Sequence, residues 1–319
     1  MNRESVESQK YHNMKRRDFI TTGLTAAAAG AAGSMSLSIH AAATATTSGG
    51  KFTLKIAPKL DMFKAHVGKD PIENLKFMAG QGFTAFYHLG LASLANAPQI
   101  MKEAERLGLT AGPFGGGGGG NWLKDDDGAR ESAVAAIKKA VENAKRLNVE
   151  CMLVVPGKMI EGMTMEQMTA NLIKNLKYLV GKVDFGDKKI VLEPLNPRNH
   201  PGMFLTKIRQ SVEICKAVGS PSIKIVNDLY HQQITEGDLI PNIEHAWDYI
   251  GSYHLGDNPG RKEPLTGEIN FRNVFKFIHQ KGYRGVLCME HGLSVPGIEG
   301  EKKLIAAYRW CDAINQPIA

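Results

Sequence analysis

The 319-residue chain is 43% hydrophobic and 22% charged, which suits one large globular domain or two small ones. Its net charge is +7, of which residues 1–45 hold +2; the remaining +5 includes no basic run after residue 17, which excludes a nucleic-acid track. Cys151, Cys215, Cys288 and Cys311 form no CxxC pair, which argues against a zinc ribbon or redox motif, and their apolar surroundings predict buried thiols.

In chain order, the first readable segment is "MKRRDFITTGLTAAAAGAAGSMSLSIHAAA", residues 14–43. A basic start, a soft Ala/Gly-rich apolar stretch and small residues at the end have the layout of an export signal. Arg16-Arg17 followed by Asp18-Phe19-Ile20 resembles the twin-arginine pattern, which implies an exported, periplasmic protein. Residues 1–45 are therefore read as signal peptide and linker, with cleavage near Ala41–Ala45. Gly, Ser and Thr interrupt the apolar stretch, so no stable membrane span is expected there, and no later segment is long and apolar enough to form one.

After Gly50, short β-rich runs alternate with helical stretches. The runs are Phe52–Ala57, Thr84–His88, Thr110–Phe114, Glu150–Val155, Lys189–Glu193, Ile223–Asp228, Tyr249–His254 and Gly285–Glu290. Between them, patterns such as "AVAAIKKAVENAKRLN" and "MTANLIKNLKYLVGKV" space apolar residues at three and four, the signature of a helix face. Gly82, Gly108, Gly219 and Gly282 stand where helices stop before the next strand. Eight strand–helix units in residues 50–319 match an α/β fold of the (β/α)₈ TIM-barrel type, one catalytic domain. The competing doubly wound sheet wants a Gly-rich phosphate turn after the first strand, and "APKLDMF" is not one. The glycine run Gly115–Gly120 lacks both P-loop and dinucleotide spacing and is read as a mobile loop over the barrel mouth.

In such a barrel the chemistry collects at the C-terminal ends of the strands. The fifth run ends in Glu193, the sixth in Asn227-Asp228, the seventh in His254 and the eighth in Glu290. A single strand-end acid is ordinarily a helix cap or a solvated loop residue. Four polar ends on consecutive strands, one of them a carboxylate after Ile-Val-Leu, are costly unless something pairs with them. Three carboxylates and one imidazole suit a divalent metal such as Mg²⁺, Mn²⁺ or Co²⁺, held by Glu193, Asp228, His254 and Glu290. Glu193 and Glu290 lie three strands apart in the ring and can flank a substrate. One removes a proton beside a carbonyl and the other returns one, which is aldose–ketose isomerisation or epimerisation and needs no organic cofactor.

"LEPLNPRNHPGMFL" (192–205), "NDLYHQQITEGDL" (227–239) and "GDNPGRKEPLTGEINF" (256–271) resemble the hydroxypyruvate isomerase family of the xylose isomerase-like barrel superfamily. "VVPGKM" (154–159) also sits where that family has a Gly-Lys. The likeness spans residues 52–315. It implies a small hydroxy-carbonyl or sugar substrate, a metal on the four strand-end residues, and Glu193 and Glu290 as the acid/base pair. His231 and Arg261 resemble substrate-binding positions of the related ketose 3-epimerases, and Arg198 and His200 are drawn into the pocket by the same match. Two positions depart from the pattern. His254 stands where hydroxypyruvate isomerases tend to carry Gln, as the ketose 3-epimerases do. The second strand ends in Tyr87-His88 where an acid is usual.

Lys59, after the first strand, and Asn121-Trp122, after the glycine run, are further candidates for lining the pocket. Asp257 and Asn258 are read as the turn before Pro259-Gly260. Glu268 is read as a brace of the long loop or a cap of the next helix. His66, His245 and His279 have no partners by spacing. A ketose 3-epimerase is the alternative to the isomerase, and a metal-dependent lyase or hydrolase acting on keto-sugars is a third reading. Further alternatives are an abasic-site endonuclease, short of ligands here, and an inactive sugar-binding barrel. The sequence leaves open whether the chain forms a homo-oligomer.

Overall fold

The computed structural model describes residues 50–117 and 122–314. Residues 1–45, read above as an export signal, and Asn121 with half of the glycine run (118–120) lie outside them. Among the described residues nine strands are interspersed with helices, β3 and β4 following one another directly: β1 Lys55–Ala57, β2 Ala85–Phe86, β3 Thr110–Ala111, β4 Phe114–Gly115, β5 Cys151–Val154, β6 Lys189–Leu192, β7 Ile223–Asp228, β8 Ile250–Leu255 and β9 Val286–Met289. All pairings between them are parallel. The order is β1-β9-β8-β7-β6-β5-β4, with β2-β3 beside it.

The ring closes at two places. Tyr87 N–H donates to the Pro58 carbonyl at 2.8 Å and Leu60 N–H to the Tyr87 carbonyl at 2.9 Å, joining β1 to β2. The third expected strand is two pieces, β3 against β2 and β4 against β5, so one chain segment carries the pairing across. The break falls at Gly112-Pro113. Proline has no N–H for a ladder, and a Cβ on Gly112 would stand 2.6 Å from Cys288 Sγ. The fold is the TIM barrel that the alternation of strands and helices implies. The first strand is shorter than its sequence run because Thr53 and Leu54 give their N–H groups to the Asp312 carboxylate, at 2.5 and 3.1 Å, rather than to a neighbouring strand.

The helix signals work as read. Gly82, Gly108, Gly219 and Gly282 all adopt positive φ, between 70° and 81°, which glycine reaches without steric cost. Asp70 caps the helix Pro71–Gly80, and Thr164 with Gln167 forms a capping box on Met165–Lys182. All four cysteines are buried free thiols. Among the described residues no helix is long and apolar enough to cross a membrane.

Successive side chains of a strand point to opposite faces, and this places the site. Outward residues such as Ile190, Leu192, Ile225, Tyr253 and Leu287 join the main core under the helices. Inward residues are fewer and smaller: Ala57, Ala85, Val286 and Cys288 on one side, Cys151, Leu153, Val191 and Val226 on the other. Two residues beyond Val191, Val226, Ser252 and Cys288 stand Glu193, Asp228, His254 and Glu290. The four polar residues are thus the top layer of the packed interior.

Candidate active site at the C-terminal ends of the strands

The four strand-end residues meet: one ligand atom from each of Glu193, Asp228, His254 and Glu290 lies within 4.8 Å of the others. His254 Nδ1 sits between two carboxylates, 3.2 Å from Glu193 Oε1 and 2.9 Å from Glu290 Oε2. Glu193, Asp228 and His254 are buried, and Glu290 retains partial exposure toward the barrel mouth. Asp228 has a divided task. Its Oδ1 accepts the N–H groups of Tyr230 (2.8 Å) and His231 (3.1 Å), capping the helix Leu229–Thr235, which leaves Oδ2 for the site. The helix-cap and site readings of a strand-end acid therefore hold together in one residue.

Arg261 arrives from the loop after β8. Its Nη2 donates to Asp228 Oδ2 at 2.8 Å and to Glu290 Oε2 at 2.6 Å, and its guanidinium lies over the Tyr230 ring at 5.0 Å. The loop that delivers it is tied down by Asp257, which is fully buried. The Asp257 carboxylate accepts backbone N–H groups from Asn258, Thr266, Gly267 and Ile269. A Cβ at Gly267 would lie 2.2 Å from the Asn258 carbonyl oxygen, so only glycine lets the two arms of the loop approach. Glu268 braces the same loop through Asn258 and Gln233, while Asn270 caps the following helix. Arg261 itself has φ +50°, a conformation that the closed loop imposes.

His231 is buried and reaches toward Asp228 Oδ2 at 3.5 Å through Nε2. Lys59 is partly buried at the end of β1, pairs with Tyr87 in the backbone, and its charge helps to hold Glu290 ionised. Arg198 is exposed on the loop after β6; the ring that faces the site from that loop is His200, edge-on to His231 at 5.2 Å. Trp122 is buried rather than open to the mouth. His66, expected to be without a partner, lies 2.5 Å from Glu301, which also accepts the N–H groups of Ala65 and His66.

Two residues about the site were not singled out from sequence. Tyr87 donates its hydroxyl to Glu290 Oε1 at 3.3 Å and tilts its ring against His254 at 5.3 Å. Asn196 contacts His231 Nδ1 through both its backbone N–H and its side chain. Tyr87 was visible only as a departure from the family's usual acid. Nothing in the sequence marks Asn196 beyond its place in "LNPRN".

The electrostatics follow from packing charge into a low-dielectric layer. Burial raises Glu193 to about 7, against the opposing pull of His254. Burial also opposes ionisation of Glu290, but His254 and Arg261 overcome it and hold that carboxyl well below its usual range. Burial disfavours charge on His254, yet Glu290 and Glu193 together keep the imidazole protonated well above its ordinary value. Burial lowers His231 to about 4, so that it is neutral.

These residues fit a divalent cation. Three carboxylates and one guanidinium leave a formal charge of −2 around a neutral imidazole, and a dication would cancel it. His254 directs Nδ1, rather than a carbon edge, at the shared centre. Oxygen-rich sets of this kind suit hard or intermediate divalent ions.

A parallel (β/α)₈ barrel with an acid–imidazole cluster at the strand C-termini defines a class of barrel enzymes. Within it, the model of the xylose isomerase-like TIM barrel family matches residues 75–314, and the chain belongs to that family. Hydroxypyruvate isomerase from Escherichia coli is 34% identical over 185 residues, covering 57% of this chain and 67% of that protein. Among solved structures, an AP endonuclease of family 2 from Brucella melitensis superposes with TM-score 0.67 at 24% identity, over 81% of this chain and 97% of the other. D-psicose 3-epimerase from Clostridium cellulolyticum superposes with TM-score 0.64 at 18% identity, over 82% and 96%. At these identities the structural likenesses establish the barrel alone. With an isomerase as its relative in sequence, the chain is an enzyme of isomerase or epimerase type.

Ligands must shed their protons to take a metal. With Glu193 up at about 7 and His254 protonated, affinity for Mn²⁺ should fall as pH drops below 7. Calorimetric titration at pH 8, 7 and 6 should show weakening at each step together with proton release on binding. An affinity that holds constant across this range would contradict the cluster as the ligand set.

Proposed function

We propose that the chain is a divalent-metal-dependent isomerase that interconverts a small hydroxy-ketone and hydroxy-aldehyde, as hydroxypyruvate isomerase does. The observation that carries this reading is the pair Glu193 and Glu290. They reach the same imidazole nitrogen, at 3.2 and 2.9 Å, from β6 and from the end of β9, on opposite sides of β8 and β7. Two carboxylates set this way can address adjacent carbons of one substrate.

The pair is unequal, as an acid and a base must be. Glu290, held ionised by His254 and Arg261, takes the proton from the hydroxyl-bearing carbon and leaves an enediolate. Glu193, ionised like Glu290 when a metal is held, receives that proton across the cluster and delivers it to the neighbouring carbon. The hydroxyl proton passes to the former carbonyl oxygen, so the two sides of the reaction balance. Arg261 and His231 face the substrate oxygens as donors. When bound, a divalent cation on Glu193, Asp228, His254 and Glu290 supplies positive charge to the two oxygens that share the enediolate. The packed interior beneath the cluster excludes water from below, which strengthens each of these interactions.

The ketose 3-epimerase reading is favoured by one residue, His254, the imidazole that stands where hydroxypyruvate isomerases tend to carry Gln. Assay of the purified chain with Mn²⁺ against hydroxypyruvate and a panel of ketoses and keto-sugars separates the two. Glu193→Gln and Glu290→Gln should each lower kcat by about 10²–10⁴-fold with the fold intact by circular dichroism. Near-normal turnover in either variant would sink the acid/base assignment. Export belongs to the same proposal, on the strength of Arg16-Arg17. Lys at both positions should hold the chain in the cytoplasmic fraction, and unchanged periplasmic recovery would refute it.

A further inference from the structure

We propose that Asn196 is a positioning residue that fixes the tautomer of His231, so that the ring offers the substrate a neutral Nε2–H donor. Some of the groups around this ring have roles that are not free to vary. A backbone N–H can only donate. Asn196 N–H points at His231 Nδ1 at 3.2 Å, so Nδ1 accepts and the proton of the neutral ring is on Nε2.

The Asn196 side chain reinforces this, and its orientation is fixed as well. Asn199 backbone N–H donates to Asn196 Oδ1 at 2.9 Å. That places the Asn196 amide nitrogen toward His231 Nδ1, 2.5 Å away, and toward Asn199 Oδ1 at 3.1 Å. Asn199 Oδ1 also accepts from the Tyr230 hydroxyl at 2.9 Å, and Tyr230 lies beneath Arg261. Two donors therefore converge on Nδ1 from Asn196, a residue that is fully buried and cannot reorient into solvent.

The other nitrogen is left available. Nε2 lies 3.5 Å from Asp228 Oδ2, too long for a good hydrogen bond, and that oxygen is already taken by Arg261 at 2.8 Å. The Nε2–H can turn its donation to a substrate oxygen. On the isomerase reading above, His231 then acts as an electrophilic donor to the enediolate oxygen and not as a proton-accepting base. A locked donor costs no reorganisation when charge develops on that oxygen. The loop 196–200 after β6 thereby belongs to the working parts of the site, through its tie to a histidine on the next strand–helix connection.

The test has a spectroscopic arm that does not depend on turnover. In the full chain with ¹⁵N-labelled histidine, with Mg²⁺ or without metal, the His231 signals should show Nε2 protonated and Nδ1 unprotonated. Asn196→Asp places a carboxylate, which can only accept, against Nδ1, and should move a proton onto that nitrogen. The same variant should lower kcat about 100-fold while changing KM far less, the pattern of a group that acts in the transition state. In a His231→Gln background, whose amide donates whatever faces it, Asn196→Asp should cost less than about threefold, because the coupled residues no longer interact. A wild-type ring protonated at Nδ1, or an equal loss in both backgrounds, would overturn the proposal. If Asn196→Asp fails to fold, the wild-type nitrogen signals decide it alone. They decide it equally if the substrate proves to be of another class.

Discussion

The structure turns on one problem of charge. Glu193, Asp228 and Glu290 bring three carboxylates into the top layer of a packed barrel, with ligand atoms inside a 4.8 Å span. Like charges at such distances in a poorly polarisable interior cannot all persist without compensation. The protein supplies part of it as Arg261, bridging Asp228 and Glu290, and part as a protonated His254 between Glu193 and Glu290. Glu193, raised by burial, takes up a proton of its own near neutrality. A divalent cation would replace those protons, so the cluster that is awkward alone has the charge and donor atoms to fit one.

Much of the surrounding architecture keeps this cluster in register. The small inward residues of β1, β2 and β9 leave room for Tyr87 to reach Glu290 and His254. Asp257 draws four backbone N–H groups onto one carboxylate and so holds the loop that carries Arg261. Glu263, also fully buried, accepts from Ser294 and ties that loop to the segment after β9. A buried carboxylate satisfied by backbone N–H groups is rigid, because each bond lost would leave a desolvated charge. The loop that carries Arg261 thus rests on Asp257 and Glu263, two buried acids outside the strand-end cluster.

The ring of strands and the four strand-end residues of the cluster were legible in the sequence because they follow from local rules. Strand period two, glycine stops and an acid at the end of an apolar run need no knowledge of distant residues. The split of the third strand was not foreseen, although Pro113 carries its cause. Arg261 came from resemblance to a family rather than from spacing, since the loop that delivers it is long. The contacts of Tyr87 and Asn196 stayed hidden for a different reason. Tyr87 meets Glu290 across 203 residues and Asn196 meets His231 across 35, and only the closed barrel sets those distances. Asp257 is the turn residue that its sequence context implies; its burial, and with it the anchoring role, is a property of packing that composition does not reveal.

The proposed chemistry needs a single metal ion seated among the four strand-end residues. Anomalous diffraction from crystals soaked in Mn²⁺, recorded on both sides of the manganese edge, measures this without reference to turnover. One strong peak is expected within bonding distance of Glu193, Asp228, His254 Nδ1 and Glu290, absent in crystals of Asp228→Asn soaked identically. A map with no peak there, or with the ion held elsewhere in the barrel mouth, would contradict it.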